Sequence, residues 1–229
     1  MSRLRLLAIL LLPLCGTAHA TAPTLRDTLS KLAPQANPQV IALALAATDC
    51  AAAQGQPPPA RLAVIDYSRP STEPRLWVFD LARRKLLYQE LVAHGRNTGE
   101  NLASRFSNAP ESRQSSLGLF RTLDTYAGRN GYSLRLQGLE PGTNDRALAR
   151  ALVIHGAAYV NPALAREQGR IGRSYGCPAV RSAIARPLID ALKGGQYVFS
   201  YYPDARWLGA SPYLKCSGGL AMTPALSAP

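Results

Sequence analysis

Leu62-Ala63-Val64-Ile65-Asp66-Tyr67 and Arg75-Leu76-Trp77-Val78-Phe79-Asp80 are the stretches that decide the architecture. Both are rich in β-branched and aromatic residues, and Ser68, Pro70, Ser71 and Pro74 between them mark a turn. The pattern predicts a third strand over 85–93, reached across Leu81-Ala82-Arg83-Arg84, and further strands over 117–122, 132–136, 151–154 and 196–202. A helix is expected from Pro178 to Leu192, stopped by Gly194-Gly195. Strands dominate and helices are few. That balance points to a mainly β (α+β) domain, a sandwich or open barrel rather than a doubly wound sheet.

Upstream of Arg61 the period is helical. Thr24 caps a short helix ending at Leu32, and Asn37-Pro38 opens a stronger one with Asn as N-cap and Pro at its first position. Val40, Ile41, Ala44, Leu45 and Ala47 supply its apolar face, which ends near Cys50. Pro57-Pro58-Pro59 stiffens the linker that follows. The expected organisation is therefore a helical segment and linker over 21–60, a main domain over 61–215 and a tail over 216–229.

Residues 1–20 read as a secretory signal peptide: Arg3 and Arg5, an apolar run from Leu6 to Leu12, and the exit Ala18-His19-Ala20. A lipoprotein reading with Cys15 acylated is the rival. That site needs a small residue before the cysteine, and Leu14 stands there. Export to the periplasm or cell wall, with no stable membrane insertion after cleavage after Ala20, is the expectation.

The formal charge is +12, carried by 26 basic residues of which only four are lysine. Losing Arg3 and Arg5 leaves about +10. The arginines are scattered, with neither a basic helix nor aromatics at base-stacking spacing, so nucleic acid is not the expected partner. Guanidinium groups clamp carboxylates in two-pronged fashion, and an exported basic protein meets an anionic wall. A monomer is expected.

Beyond residue 20 the chain has two histidines, His94 and His155, and three cysteines, Cys50, Cys177 and Cys216. Zinc-ligand spacing, HExxH, CxxC and a phosphate-binding glycine loop are all missing from the sequence. No metal and no cofactor is expected. A cysteine nucleophile with a histidine base is what remains. Ser174-Tyr175-Gly176-Cys177-Pro178 puts Cys177 at a tight turn before the expected helix, whose dipole, with Arg173 and Arg181 nearby, favours the thiolate. The N–H groups of Gly176 and Cys177 are candidate oxyanion donors. His155, followed by Gly156, leaves a strand, an ordinary place for a base. His94-Gly95 has the same form, and base, substrate contact and structural role stay open for it. A packing role stays open for Cys177 as well. Cys50 and Cys216 read as a structural disulfide in an oxidising compartment. His94 to Ser116 is long, polar and aperiodic, as binding loops are, and its Arg96, Arg105 and Arg113 are candidate carboxylate contacts.

Together these motifs resemble the L,D-transpeptidase catalytic family (YkuD-like), in its branch carrying S-[WY]-G-C-P. The carriers run from Val64-Ile65-Asp66-Tyr67-Ser68 through Leu76–Asp80, His94-Gly95, Ser115–Phe120, Asn130-Gly131-Tyr132-Ser133-Leu134 and Ile154-His155-Gly156 to Gly172–Pro178. The resemblance implies a compact β domain with a groove, acting on the stem peptides of peptidoglycan. It implies that Cys177 attacks the bond between a diamino acid and a terminal D-alanine while His155 handles the proton. Release of the thioester to an amine makes a transpeptidase; release to water makes an L,D-carboxypeptidase. A wall-binding protein without catalysis is the third reading. Two departures stand out. Tyr175 replaces the family's usual histidine, and Ala179 the usual arginine two residues after the cysteine. Arg181 or Arg173 is expected to take over that arginine's substrate contact.

Overall fold

The computed structural model describes residues 22–216, so the expected signal peptide with Cys15 and the tail beyond Cys216 lie outside the described residues. Two helices come first: α1 (Leu25–Leu32), closed by a Thr24–Asp27 capping box, and α2 (Pro38–Ala53), capped by the Asn37 side chain. The strands are β1 (Arg61–Asp66), β2 (Leu76–Asp80), β3 (Lys85–Glu90), β4 (Gly118–Gly128), β5 (Gly131–Gly138), β6 (Val153–Ala157), β7 (Ala179–Arg181) and β8 (Tyr197–Tyr201). Three further helices, α3 (Pro162–Gln168), α4 (Ser182–Leu192) and α5 (Ala205–Ala210), complete the described residues.

All eight strands form one mixed sheet in the order β3-β2-β1-β8-β4-β5-β6-β7. The β1–β8 and β6–β7 pairs are parallel and the rest antiparallel. Ala93, just past β3, bridges Ala179 of β7, so the two edges meet and the sheet curls into a nearly closed barrel. The mainly β reading holds.

Burial on both faces explains why β1 is almost wholly apolar. Leu62 and Val64 face a core shared with Trp77, Phe79, Leu119, Phe199 and the inner side of α2, where Val40, Ala44, Ala47 and Ala51 recur at helical spacing. Ala63 and Ile65 point the other way, into a core filled by Val78, Phe120, Leu134, Ile154, Val198 and the Leu188–Ile189–Leu192 face of α4. The expected Cys50–Cys216 disulfide is present, with Cα atoms 5.5 Å apart, and ties the end of α2 to the last described residue.

Three differences from the sequence reading matter. The helix expected from Pro178 begins only at Ser182, because residues 179–181 find strand partners on both sides, β6 on one and Ala93 on the other. Tertiary pairing outweighs the proline start signal there. The 117–122 and 132–136 segments are longer than expected and form a hairpin around Arg129-Asn130. The strand expected from Ala151 begins at Val153, since Ala151 turns with φ of 52°.

Candidate active site

Pairing between β6 and β7 sets the site. His155 lies beside Ala179 in register, and Cys177 precedes Ala179 by two residues. Both side chains line one cleft of about 440 Å³, together with Ser174, Tyr175, Arg96 and Arg173. Tyr159, Arg170 and Asn130, the last at the β4–β5 hairpin tip, complete it. Tyr159 and Arg170 were not singled out from sequence, Asn130 stood only in a family motif, and the fold brings all three to the cleft.

The turn that presents Cys177 is tightly held. Ser174 Oγ donates to the Cys177 carbonyl at 2.6 Å and accepts from the Gly176 N–H at 3.0 Å. Gly176 sits at φ of 125°, where a side chain is strained, and a Cβ there would lie 2.8 Å from the Gln114 carbonyl. The Gly176 N–H is thus already engaged. Of the two oxyanion donors expected, the Cys177 N–H is the one left for the task.

The long segment 94–116 is stitched to this turn. Arg96 N–H donates to the Ser174 carbonyl and Ser174 N–H to the His94 carbonyl, at 2.8 and 2.9 Å. Ser115 Oγ accepts from the Gly95 N–H and donates to the Gly176 carbonyl, each at 3.0 Å. Arg96 and Arg113 flank the exposed Tyr175 ring at 5.7 and 5.0 Å. Arg113 also faces a second cleft, of about 360 Å³, on which Tyr175 and Arg150 border. Arg105 is exposed and lines neither cleft.

The electrostatics correct one expectation. No helix N-terminus faces the sulfur, and burial pushes the Cys177 thiol above its ordinary pKa. The N–H groups of Val153 and of Cys177 itself, and the charge of Arg150, pull the other way without reversing it. Burial also lowers the His155 pKa. The resting pair is therefore a neutral thiol and a neutral imidazole. His155 Nδ1 lies 3.0 Å from the Gly156 carbonyl, which can only accept, so Nδ1 carries the proton and Nε2 is free to take one. Gly156 acts here through that carbonyl. The Cys177 thiol itself points at the Ala151 carbonyl, 3.8 Å away.

Two residues expected at the substrate are elsewhere. Arg181 forks onto Glu90, Nε to Oε2 at 2.8 Å and Nη2 to Oε1 at 2.6 Å, and lines a different cleft with Pro74 and Leu91. His94 is fully buried. Its Nδ1 accepts from Arg75 at 2.8 Å and its Nε2 donates to the Gly99 carbonyl at 3.2 Å, so the role left open for it resolves as structural. Arg173 does reach the cleft, paired with Glu100 at 2.6 Å, and Glu100 also holds Arg170 at 3.1 Å.

A family model described as the L,D-transpeptidase catalytic domain matches residues 32–201. No curated protein matches the chain. Similar solved structures include an L,D-transpeptidase from Mycobacterium smegmatis, 14% identical, covering 62% of this chain and 59% of that one, with a TM-score of 0.39. Another is from Mycobacterium tuberculosis H37Rv, 18% identical over 63% and 58%, with a TM-score of 0.38. A third, from Stackebrandtia nassauensis, is 14% identical over 78% and 89%, with a TM-score of 0.39. The chain spans about three fifths of the length of the mycobacterial proteins.

Proposed function

The chain belongs to the L,D-transpeptidase catalytic domain family, and from that premise we propose that it is an exported cysteine acyltransferase acting on peptidoglycan stem peptides. The observation that carries the reading is the convergence of Cys177 and His155 on one arginine-rimmed cleft. In the proposed reaction His155 Nε2 takes the thiol proton as Sγ attacks the carbonyl between the diamino acid and the terminal D-alanine. The Cys177 N–H donates to the oxyanion that develops. Collapse breaks the C–N bond, His155 returns the proton to the departing D-alanine amine, and a thioester remains. An acceptor amine then attacks the thioester, passes its proton to His155 and restores the thiol.

Transfer is favoured over hydrolysis by the second cleft. Tyr175 stands between two spaces of comparable size, which leaves room for an acceptor stem beside the donor. Arg96 and Arg173 are the proposed contacts to donor carboxylates. Export is supported by the basic-apolar-small pattern of residues 1–20 and by the Cys50–Cys216 disulfide, which suits an oxidising compartment. A time course with tetrapeptide donor and excess acceptor amine, read by product mass, tests the proposal. A cross-linked product that disappears in Cys177→Ala is the expected result. Tripeptide and free D-alanine alone, at every acceptor concentration, make the protein a carboxypeptidase. No product, together with no adduct between Cys177 and a carbapenem, leaves a wall-binding protein.

A further inference from the structure

Arg150 lies in the turn before β6, between Ala149 and the left-handed Ala151, and no motif marks it. It is half-buried, and both terminal nitrogens of its guanidinium are engaged. Nη1 donates to the Ser107 carbonyl and to Ser116 Oγ, both at 2.6 Å. Nη2 donates to the Gln114 carbonyl at 2.6 Å and to Ser112 Oγ at 3.1 Å. Every one of these acceptors is neutral, and the described residues give Arg150 no ion pair. The arginines on the rim differ: Arg170 and Arg173 share Glu100, and Arg96 stacks on Tyr175.

The charge lies against the turn that carries Cys177. A Cβ on Gly176 would lie 3.5 Å from Arg150 Nη2, and the next residue in the chain is Cys177. Ala151, adjacent to Arg150, offers its carbonyl to the thiol. Other titratable groups act on the sulfur too. Tyr67, from the turn after β1, and Tyr159, after β6, are held as neutral phenols, each with its pKa pushed up to about 12. His155 on β6 is neutral until it takes the proton. The rim adds Arg96, Arg170, Arg173 and Tyr175 on the side open to solvent. Arg150 stands on the other side of the turn from that rim, half-buried beside the second cleft, where screening by water is reduced.

We propose that Arg150 is a positioning residue for the reaction: anchored by neutral oxygens alone, its guanidinium supplies the positive charge that stabilises the Cys177 sulfur as it loses its proton. The arrangement substitutes a side chain for the helix dipole that the turn lacks. Burying a cation without a carboxylate partner is costly. Arg150 recovers part of that cost when a thiolate forms nearby, and the interaction runs in both directions: Arg150 favours the charged sulfur, and the charged sulfur partly offsets the burial that lowers the Arg150 pKa.

The inference rests on Cys177 being the nucleophile, but its test needs no substrate, so either reading can fail alone. The full chain, disulfide intact, is alkylated with iodoacetamide across a pH series, and the Cys177 peptide is quantified by mass. In Arg150→Gln the alkylation midpoint should rise by about one pH unit. Arg150→Lys keeps the charge but cannot span the Ser116 and Gln114 oxygens together, so its midpoint should fall between wild type and the Gln variant. If Arg150→Gln does not fold, Arg150→Met serves as the neutral variant in the same ordering. A folded neutral variant with the wild-type midpoint overturns the proposal. Equal rises in both folded variants also overturn it, because loop disorder rather than charge would then explain the shift.

Discussion

His94 and His155 are both buried and both followed by glycine, yet their ring nitrogens are spent differently. His94 uses both, Nδ1 on Arg75 and Nε2 on the Gly99 carbonyl. Its neighbour Arg75 is entirely enclosed, held by the Val92 and Arg69 carbonyls and lying 5.2 Å over the Tyr67 ring. His155 commits only Nδ1, to Gly156, and stands in the wall of the cleft that holds Cys177. The difference teaches that what marks His155 out as the proposed base is the nitrogen it is spared. One ring completes a buried scaffold for the loop; the other is left one bond short, where a substrate can use it.

The sharpest way to break that contrast is to remove each ring. His155→Gln should lower kcat by about 10⁴-fold, the upper range for a lost general base, with the unfolding midpoint nearly unchanged. Activity within tenfold of wild type would move the base elsewhere. His94→Leu should reverse the pattern. Leaving the buried Arg75 without that acceptor should cost about 4 kcal/mol in urea unfolding, while folded molecules keep their kcat. A smaller effect sharpens the comparison further. Burial, followed by the Arg75 charge, lowers the His94 pKa from 6.5 to about 4. The unfolded chain takes up a proton near 6.5 that the fold refuses until about 4, so stability is full above 6.5 and declines as pH falls toward 4. The whole course is worth about 3 kcal/mol. Urea titrations at a series of pH values should show that slope in the wild type and lose most of it in His94→Leu.

Most of the sheet was legible because its strands carry dense β-branched and aromatic runs, as in Val64-Ile65 and Trp77-Val78-Phe79. β7 was not. Three residues beginning with alanine, after a proline, carry no strand signal of their own, and only the partners on either side make them one. α3 is a different case: Asn161-Pro162 repeats the cap-and-proline signal of Asn37-Pro38, and the Asn161 side chain accepts from the Ala163 N–H as that signal predicts. It was readable and went unread. At the site, Cys177 and His155 were visible through motif and scarcity. Arg181 looked equally close to Cys177 in sequence, but its fork onto Glu90 draws it to another cleft. Arg150 is one of many arginines until the 107–116 segment folds around it.

The bridge between Ala93 and Ala179 does more than close a barrel. It makes the nucleophile a resident of the seam, two residues from the point where the first part of the sheet meets the last. A partly folded chain owns the sulfur and its local turn but not His155 or the 94–116 loop beside them, since these arrive with pairings between residues far apart in sequence. Such pairings are the slow ones in folding. If Cys177 acylates as proposed, that competence is expected late in folding, and protection of Cys177 from a thiol reagent is expected to track the final closure of the sheet.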